Sequence, residues 1–303
     1  MITPLYNSRA SALRVAILAG LLLAGAILAM SNNFLVVALG ILMIGAMYAH
    51  AVELQHQCLH YSAFKSRRTN KTIGILLGLP TLTSFHAYRR SHLEHHRNLG
   101  TSADTPFFTY QFLTNRSFGS FTYDLLGISH LKASLSAIFG NGDARLISIP
   151  VGDDSGTISE RFDYGLMGFM VVCAGLVSIA FGPAIVLKLW VLPLLLVAQP
   201  IHFFVELPEH IGCDSGTTDV FRSTRTIVGS RFSHWFTNFN NFHTEHHLEP
   251  ALSMDQMPDV YKQIQSQHKH LVPTYWQFYR SLYRSVIAQS FLPNPGDPTR
   301  RHA

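Results

Sequence analysis

Three short histidine clusters are the residues of this chain best suited to chemistry. The first cluster, His56–His60, has the spacing HxxxH, and the second (His92–His96) and third (His243–His247) have the spacing HxxHH; together they hold eight of the 17 histidines. On a helix, residues at i, i+3 and i+4 share one face, so each cluster directs two or three imidazoles to a common place. Converging neutral imidazoles bind transition metals. The spacing therefore predicts a metal site made almost wholly of histidine.

The number of clustered histidines favours two metal ions. A single zinc ion needs three or four ligands, so the clusters hold too many histidines for one ion. The adjacent pairs His95–His96 and His246–His247 diverge by about 100° on a helix, so each pair can serve two ions or present one ligand on each of two faces. Imidazole suits zinc, copper, iron and nickel. Among the redox-active metals we favour iron over copper, because copper sites often add sulfur ligands and Cys58 is the one sulfur residue within these spacings.

The composition indicates a membrane protein. Hydrophobic residues make up 48% of the 303 residues and charged residues 14%, whereas about a quarter of the residues of a soluble domain are charged. Long apolar runs predict four transmembrane helices at about 12–30, 34–50, 165–182 and 184–205. The first run lacks a small-residue cleavage site and leads directly into the second, so we interpret it as a span and not as a signal peptide. We expect an all-α membrane protein with two helical hairpins and a cytoplasmic helical cap that holds the metal site.

The placement of lysine and arginine predicts the orientation in the membrane. Arg9 and Arg14 precede the first span, and seven basic residues lie between the first cluster and residue 97, whereas the turn near 31–33 carries no charge. By the positive-inside rule both termini, the long loop and all three clusters are then cytoplasmic. The short apolar segment 73–85 contains Pro80, and we interpret it as re-entrant or interfacial. A true crossing there would place the second cluster on the opposite face.

We expect residues 1–303 to form a single domain without an internal repeat. The patterning predicts an amphipathic helix within 125–139, a helix over 232–248 and a helical segment over 255–291 that is interrupted near Pro273. Residues 141–156 are expected to form an exposed turn region, and the tail from Pro293 is expected to be disordered. The net charge of +5 suits a membrane protein over anionic lipid, and no aromatic-interleaved basic motif for nucleic acid is present. The three cysteines form no CxxC, which argues against disulfides and an internal iron–sulfur carrier.

The order and surroundings of the three clusters form a combined pattern. HxxxH is followed by HxxHH and by a distal HxxHH, which is preceded by Trp235, Asn238 and Asn241 and followed by Pro250. This pattern resembles that of the membrane fatty acid desaturase and hydroxylase superfamily, and the resemblance covers most of the chain. In that family a further histidine between the last span and the third cluster completes the metal shell, and the matching position here is His210. The resemblance therefore implies a di-iron centre with nine ligands: His56, His60, His92, His95, His96, His210, His243, His246 and His247.

Two positions depart from the family pattern. The family often has an acid after the first histidine of the first cluster, where this chain has Gln57. This departure bears on the hydrogen bond that the acid usually makes and not on ligation. The third cluster begins with His243, where front-end desaturases fused to a cytochrome have glutamine, and we expect no fused haem-binding domain. We therefore do not expect the front-end subtype.

Five acidic or amide side chains near the clusters are candidates for orienting the ligands. They can accept hydrogen bonds from imidazole N–H groups, or be solvated helix residues with no such role: Glu94, Glu206, Glu209, Glu245 and Asn241. Glu206 lies one helical turn before His210 and is placed to reach a metal-bound water. Asp104 is a candidate to brace the loop after the second cluster. We interpret His202 as structural and His268 as a surface residue.

The resemblance implies an O₂-dependent oxidoreductase that introduces a double bond into a fatty acyl or related lipid chain. We expect an apolar tunnel between the four helices to hold that chain. The first alternative is a hydroxylase of a lipid, alkane or carotenoid, because it uses the same centre and the same first hydrogen abstraction. Electrons are expected from an external donor of the ferredoxin, rubredoxin or cytochrome b5 type. Four arginines form a candidate docking patch for an acidic donor: Arg67, Arg68, Arg89 and Arg90.

Two further classes of function remain as distant alternatives. A zinc-dependent membrane hydrolase needs about three ligands and a general base, which leaves most of the clustered histidines unexplained. In a non-enzymatic haem or metal membrane protein, haem-ligating histidines would face each other inside the spans, whereas these clusters flank the spans.

Overall fold

The structure is a computed structural model that describes residues 7–104, 106–110, 117–140 and 155–291. Most of the turn region expected at 141–156 and the whole tail expected from Pro293 lie outside the described residues. In chain order the described residues form α1 (Ser8–Ala29), α2 (Phe34–Leu59), α3 (Arg67–Gly78), α4 (Phe85–Asn98), α5 (Phe118–Leu125), α6 (Ile128–Ile138), α7 (Ser155–Phe181), α8 (Pro183–Val186), α9 (Gln199–Glu206), α10 (Val220–Ser223), α11 (Arg231–Phe236), α12 (His243–Leu248), α13 (Met257–Ile264) and α14 (Tyr275–Phe291). Between α8 and α9 lie two π-helical segments, Leu187–Val191 and Leu194–Ala198, and Leu207–Glu209 is a 3-10 turn.

Four helical segments are long and apolar enough to cross a membrane. They are Ser8–Ala29, Phe34–Leu59, Ser159–Phe181 and Pro183–Glu209, so the chain is a helical membrane protein with four candidate spans. The second and fourth segments extend beyond the predicted ends at residues 50 and 205, to Leu59 and Glu209. The apolar run stops at Glu53, but the helix continues because its polar side chains are buried; Gln55, for example, donates hydrogen bonds to the carbonyl oxygens of Gly74 and Thr83.

The second span is the central helix of the structure. A Cβ atom at Gly40 would lie 2.4 Å from the backbone nitrogen of Ala29, so the glycine allows close contact between the backbones of α1 and α2. On the opposite side, a Cβ atom at Gly45 would lie 2.6 Å from the carbonyl oxygen of Pro193 in the fourth span. The two glycines therefore let α2 pack tightly against both neighbours.

Two features differ from the predicted secondary structure. The strands β1 (Thr226–Ile227) and β2 (Leu271–Val272) pair in parallel, so the all-α expectation holds for the described residues except at this short sheet. Two-residue strands are too short to give an alternating pattern in the sequence. The expected continuous helix over 232–248 is wrong, because α11 and α12 are separated by a turn.

The turn between α11 and α12 is stabilised by a hydrogen bond from a residue outside the segment 232–248. Asn238 and Phe239 have φ angles of 49° and 65°, in the left-handed region that asparagine tolerates better than most residues. The Asn238 amide donates a 2.9 Å hydrogen bond to Gln57 Oε1 on α2, and the Gln57 amide donates one of 3.0 Å to Ser253 Oγ. Gln57 therefore links the first cluster to the segments on both sides of the third cluster.

Candidate metal centre

The three clusters are carried by separate helices that end in the same region. The first cluster forms the last turn of α2, the second lies in the C-terminal part of α4, and the third lies on α12. Ser84 caps α4 by accepting a hydrogen bond from the backbone of Ala87, and its hydroxyl donates a 2.8 Å hydrogen bond to Asp163 on α7. His210 follows the 3-10 turn that ends the fourth span. These anchors bring all nine predicted ligands together.

Five of these imidazoles form one group, which we call the five-histidine group. His92 Nε2 lies 2.7 Å from His56 Nε2, 2.8 Å from His60 Nε2 and 2.9 Å from His96 Nε2. His246 Nε2 lies 3.1 Å from His96 Nε2. The group therefore combines ligands from α2, α4 and α12.

The other four imidazoles form a second group, the four-histidine group. His210 Nε2 lies 3.2 Å from His95 Nε2 and 3.0 Å from His243 Nε2, and His247 Nε2 lies 3.0 Å from His243 Nε2. The coordinating nitrogens of these four residues all lie within 4.8 Å of one another. Both HxxHH clusters thus divide their adjacent histidines between the two groups.

The distances fit imidazoles that share a metal ion. Two nitrogen atoms that are each about 2.1 Å from an ion lie about 3.0 Å apart at 90° and about 3.4 Å apart at the tetrahedral angle. The closest Nε2–Nε2 contacts within the groups run from 2.7 Å to 3.5 Å. Hydrogen bonds between the rings cannot account for all of these contacts, because His92 Nε2 faces four other Nε2 atoms while a neutral imidazole carries a single N–H. The donor set therefore suits transition-metal ions such as iron or zinc.

Burial keeps the clustered imidazoles in the neutral form that binds metal. Burial in the first place, and repulsion between neighbouring imidazoles in the second, hold the pKa well below its ordinary value in six of them: His60, His92, His96, His243, His246 and His247. Burial also lowers the pKa of His210 to about 4. These imidazoles therefore need not lose a proton before they bind a metal ion at neutral pH.

Two ligands have acceptors that fix the orientation of the ring. His95 Nδ1 lies 2.7 Å from Asp104 Oδ1, and His210 Nδ1 lies 3.0 Å from the carbonyl oxygen of Ser223. With the proton on Nδ1, the lone pair of Nε2 points into the four-histidine group. Asp104, the candidate for bracing the loop, therefore contacts a predicted ligand directly.

Two orienting candidates, Glu206 and Glu209, lie near the end of the fourth span. Glu209 Oε2 lies 3.3 Å from His243 Nε2. Glu206 accepts a 2.5 Å hydrogen bond from the hydroxyl of Tyr110 and lies 3.2 Å from His202 Nε2. Glu206 therefore contacts the fourth span through His202 and the preceding loop through Tyr110. Glu209, in contrast, contacts Nε2 of the predicted ligand His243.

The other three orienting candidates have different partners. Among the described residues, no hydrogen bond joins Glu94, Glu245 or Asn241 to a clustered imidazole. Asn241 donates a 2.7 Å hydrogen bond to the carbonyl oxygen of Ile227, and Glu245 Oε2 accepts one of 2.6 Å from Thr226 Oγ1. Both residues therefore attach the third cluster to β1.

The expectation that His268 lies at the surface is wrong. Its side chain is 1% exposed, and its Nε2 lies 2.8 Å from Oε1 of Glu245, whose side chain is fully buried. Burial lowers the pKa of His268, but the Glu245 carboxylate and the backbone of Ile264 and Gln265 together raise it more, so the net pKa is raised. The segment before β2 therefore contacts the helix of the third cluster through the pair His268–Glu245. No local pattern signals this contact, because the two residues are distant in the sequence.

Two residues near the metal groups were not predicted as site residues. Glu53 lies one helical turn before His56 on α2, and His202 lies on α9; the distance between Glu53 Oε1 and His202 Nδ1 is 3.8 Å. Both line a cavity of about 40 Å³ that also contacts Glu206 and Glu209. The helical spacing to His56 was the signal that could have identified Glu53.

A larger cavity of about 360 Å³ lies beside the metal groups. It shares Pro106, Phe107 and His202 with the smaller cavity. Its lining mixes aromatic side chains with polar ones such as Glu94 and Gln199, and it borders α4, α6 and the fourth span. Among the described residues this cavity lies next to the second cluster, and the expected apolar tunnel between the four spans stays a prediction.

The candidate docking patch of four arginines is not one exposed surface. Arg89 donates to the carbonyl oxygen of Leu59 and stacks 4.1 Å from the ring centroid of Tyr61. Arg90 forms an ion pair with Glu160 on α7. These two arginines brace the fold, whereas Arg67 and Arg68 are exposed.

The fold and the two imidazole groups define a helical membrane protein with a histidine-rich candidate metal centre. A sequence model of the fatty acid desaturase family matches residues 32–279, so the chain belongs to that family. A curated relative, dihydrorhizobitoxine desaturase from Bradyrhizobium elkanii, is 29% identical, and the match covers 71% of this chain and 63% of the relative. The matched region thus spans less than two thirds of that relative.

Proposed function

We propose that this protein is an O₂-dependent oxidoreductase that introduces a carbon–carbon double bond into its substrate at a di-iron centre. The convergence of nine imidazoles carries this proposal: eight form two groups of four, and His96 adjoins the first group through His92 and His246. When bound, an iron pair supplies the oxidising power that O₂ provides for removing hydrogen from an unactivated C–H bond. Membership of the desaturase family and the name of the relative support desaturation over hydroxylation. A zinc hydrolase would use about three ligands and leave the second group without a role.

The two imidazole groups of this chain would hold the two ions. The five-histidine group would hold one iron and the four-histidine group the other. The rings of His96 and His247, which belong to different groups, stack with centroids 4.1 Å apart, so the groups are direct neighbours. Asp104 and the Ser223 carbonyl keep two rings of the four-histidine group oriented toward their ion. Burial of these groups excludes water from the place where the oxidant is used.

The spans and the charges support a topology. We propose two hairpins, α1 with α2 and α7 with the fourth span, and a cytoplasmic cap that carries the metal groups, with both termini on the same face. The turn between α1 and α2 covers only residues 30–33. The basic residues that follow α2 support the cytoplasmic side by the positive-inside rule. The electron donor would be an external protein of the ferredoxin, rubredoxin or cytochrome b5 type.

The cavity of about 360 Å³ is our candidate substrate site. It adjoins the small cavity at the metal groups, so the segment to be oxidised can reach the ions from it. Polar side chains in its lining suit a substrate with polar groups near the oxidised alkyl segment. The relative is named for dihydrorhizobitoxine, so the proposed substrates are not limited to fatty acyl chains.

Elemental analysis of the purified protein tests the metal centre. We expect about two irons per chain. His246→Ala, in the five-histidine group, and His95→Ala, in the four-histidine group, should each lower the iron content, whereas His270→Ala, outside both groups, should not. Small molecules and lipids from cells that express the wild type or His246→Ala then test the reaction, with new unsaturation expected only for the wild type. One zinc ion and no iron, from cells grown with ample iron, would contradict the proposal.

A further inference from the structure

The geometry points to α14 as a helix that binds the membrane surface. Trp276 and Tyr283 enter the headgroup region of the bilayer, and Arg280 and Arg284 bind anionic phospholipids. All four side chains are exposed, to 73% for Trp276 and 67% for Tyr283. None of them belongs to the imidazole groups or lines the two cavities beside these groups. The inference is therefore independent of the proposed reaction.

The four exposed side chains form one stripe along α14. Trp276 and Tyr283 are seven residues apart, so their directions differ by only about 20° around the helix axis. Arg280 and Arg284 follow on one flank, at about 40° and 80° from Trp276. Phe278 points to the opposite side of the helix and is buried. One side of α14 therefore packs against the protein, and the other presents two aromatic rings beside two arginines.

The contact between α14 and the fourth span places this stripe at the edge of the apolar region. The hydroxyl of Tyr279 donates a 2.6 Å hydrogen bond to the carbonyl oxygen of Phe204, and the two rings meet edge to face with centroids 5.3 Å apart. Phe204 is the next-to-last residue of the apolar run 184–205 and is exposed, as expected of a span residue that faces lipid. Tyr283 is about 40° from Tyr279 around α14. The lipid-facing surface of the span therefore continues onto the stripe of α14.

A second short helix reaches the end of another apolar run. His50 is the last residue of the apolar run 34–50, and the ring of Trp235 on α11 stacks on it with centroids 4.7 Å apart. Phe232, one helical turn before Trp235, is exposed. Trp and Tyr are enriched at the membrane–water boundary, because the ring is apolar and its N–H or O–H group remains hydrated. The aromatic side chains of α11 and α14 therefore mark one boundary, on the side of the imidazole groups.

The two arginines determine which partner the stripe fits. Within the described ranges neither Arg280 nor Arg284 pairs with a carboxylate. A guanidinium beside aromatic rings at the boundary is placed to bind the phosphate of a lipid headgroup, and a negatively charged leaflet strengthens this attraction. An acidic soluble protein would also suit the arginines, but it would not cover a stripe that continues from the lipid-facing Phe204. The charge and the position together favour an anionic bilayer surface.

Fluorescence of Trp276 in nanodiscs tests the contact with the bilayer. The emission of Trp276 is obtained as the difference between the full-length wild type and Trp276→Phe, a substitution at an exposed position. We expect phosphatidylcholine brominated near the top of its acyl chains to quench this emission strongly, and iodide in the water to quench it weakly. Strong quenching by iodide with none by brominated lipid would overturn the proposal and would indicate that water or a protein partner covers α14.

A second comparison tests the preference for anionic lipid. The nanodiscs contain unbrominated phosphatidylcholine with a small fraction of either brominated phosphatidylserine or brominated phosphatidylcholine. An arginine at the surface favours anionic lipid about fivefold, so brominated phosphatidylserine should quench Trp276 more strongly. The double substitution Arg280→Gln and Arg284→Gln should remove this difference. The control Arg67→Gln and Arg68→Gln loses the same charge on α3 and should keep it. Equal quenching by the two lipids in the wild type, or loss of the difference in the control, would overturn the assignment of anionic lipid to α14.

Discussion

The buried pair of His268 and Glu245 gives a sharp stability prediction. In His268→Ala, Glu245 Oε1 loses the imidazole nitrogen at 2.8 Å, while Glu245 Oε2 keeps its 2.6 Å hydrogen bond from Thr226. Removing one partner of a buried charged pair costs about 3–5 kcal/mol, and a lost hydrogen bond to a charged group costs about 1.5–3 kcal/mol. Because Thr226 remains, we expect a loss of about 2–3 kcal/mol in the free energy of unfolding. For a chain of this size that corresponds to a melting temperature lowered by about 5 °C.

The same pair predicts a direction for the pH dependence. The pKa of His268 is raised in the folded state, so folding favours its protonated form. The stabilisation is complete below the unfolded pKa of about 6.5 and is lost as the pH rises through the folded pKa. The difference in stability between the wild type and His268→Ala should therefore be larger at pH 6 than at pH 9.

Thermal unfolding in detergent micelles at these two pH values provides the measurement. His270→Ala is the matched control, because His270 lies 3.3 Å from an Asp214 that Arg222 and Lys269 already pair. We expect this control to change the melting temperature by about 1 °C or less. A His268→Ala protein as stable as His270→Ala would refute the structural role of the pair. A destabilisation that grows with pH would refute the assigned direction of the pKa shift.

Two other substitutions test the packing and the metal groups. Gly40→Ala adds a Cβ atom 2.4 Å from the backbone nitrogen of Ala29, so it should lower the melting temperature by an amount equivalent to about 1–3 kcal/mol, whereas Gly20→Ala, with nothing within 4 Å, should not lower it. Equal melting temperatures would show that α1 and α2 do not need this contact. Asp104→Ala removes the acceptor of His95 Nδ1 and should weaken iron retention about tenfold or more in a chelator assay, while the exposed Asp259→Ala should leave retention unchanged. Equal retention in both variants would contradict the orienting role of Asp104.

Features that depend on local spacing were predictable from the sequence. Helical periodicity predicted that each cluster converges, and the apolar runs predicted four long helices close to those observed. The ends of the spans were less predictable. The hydropathy of α2 falls at Glu53, although the helix continues to Leu59 because the cap buries the polar side chains that follow. Hydropathy reports transfer into lipid and does not report burial against other protein segments.

Features that depend on distant contacts were not predictable. The segment 232–248 has the composition of one helix, but the hydrogen bond between Asn238 and Gln57 on α2 stabilises a turn within it. His268 lacks any local signal and is buried only because β2 pairs with β1 and brings it to Glu245. The helical period is visible in a single sequence. Contacts between distant segments become visible only in the folded structure.

The two imidazole groups share their supporting helices, and this sharing constrains the whole centre. His95 and His96 follow each other on α4 yet belong to different groups, and the same holds for His246 and His247 on α12. The separation of the groups is therefore set by the angle of about 100° between successive residues of a helix. Rotating either helix would displace a ligand from each group at once. The positions of the two proposed ions would accordingly be coupled through α4 and α12.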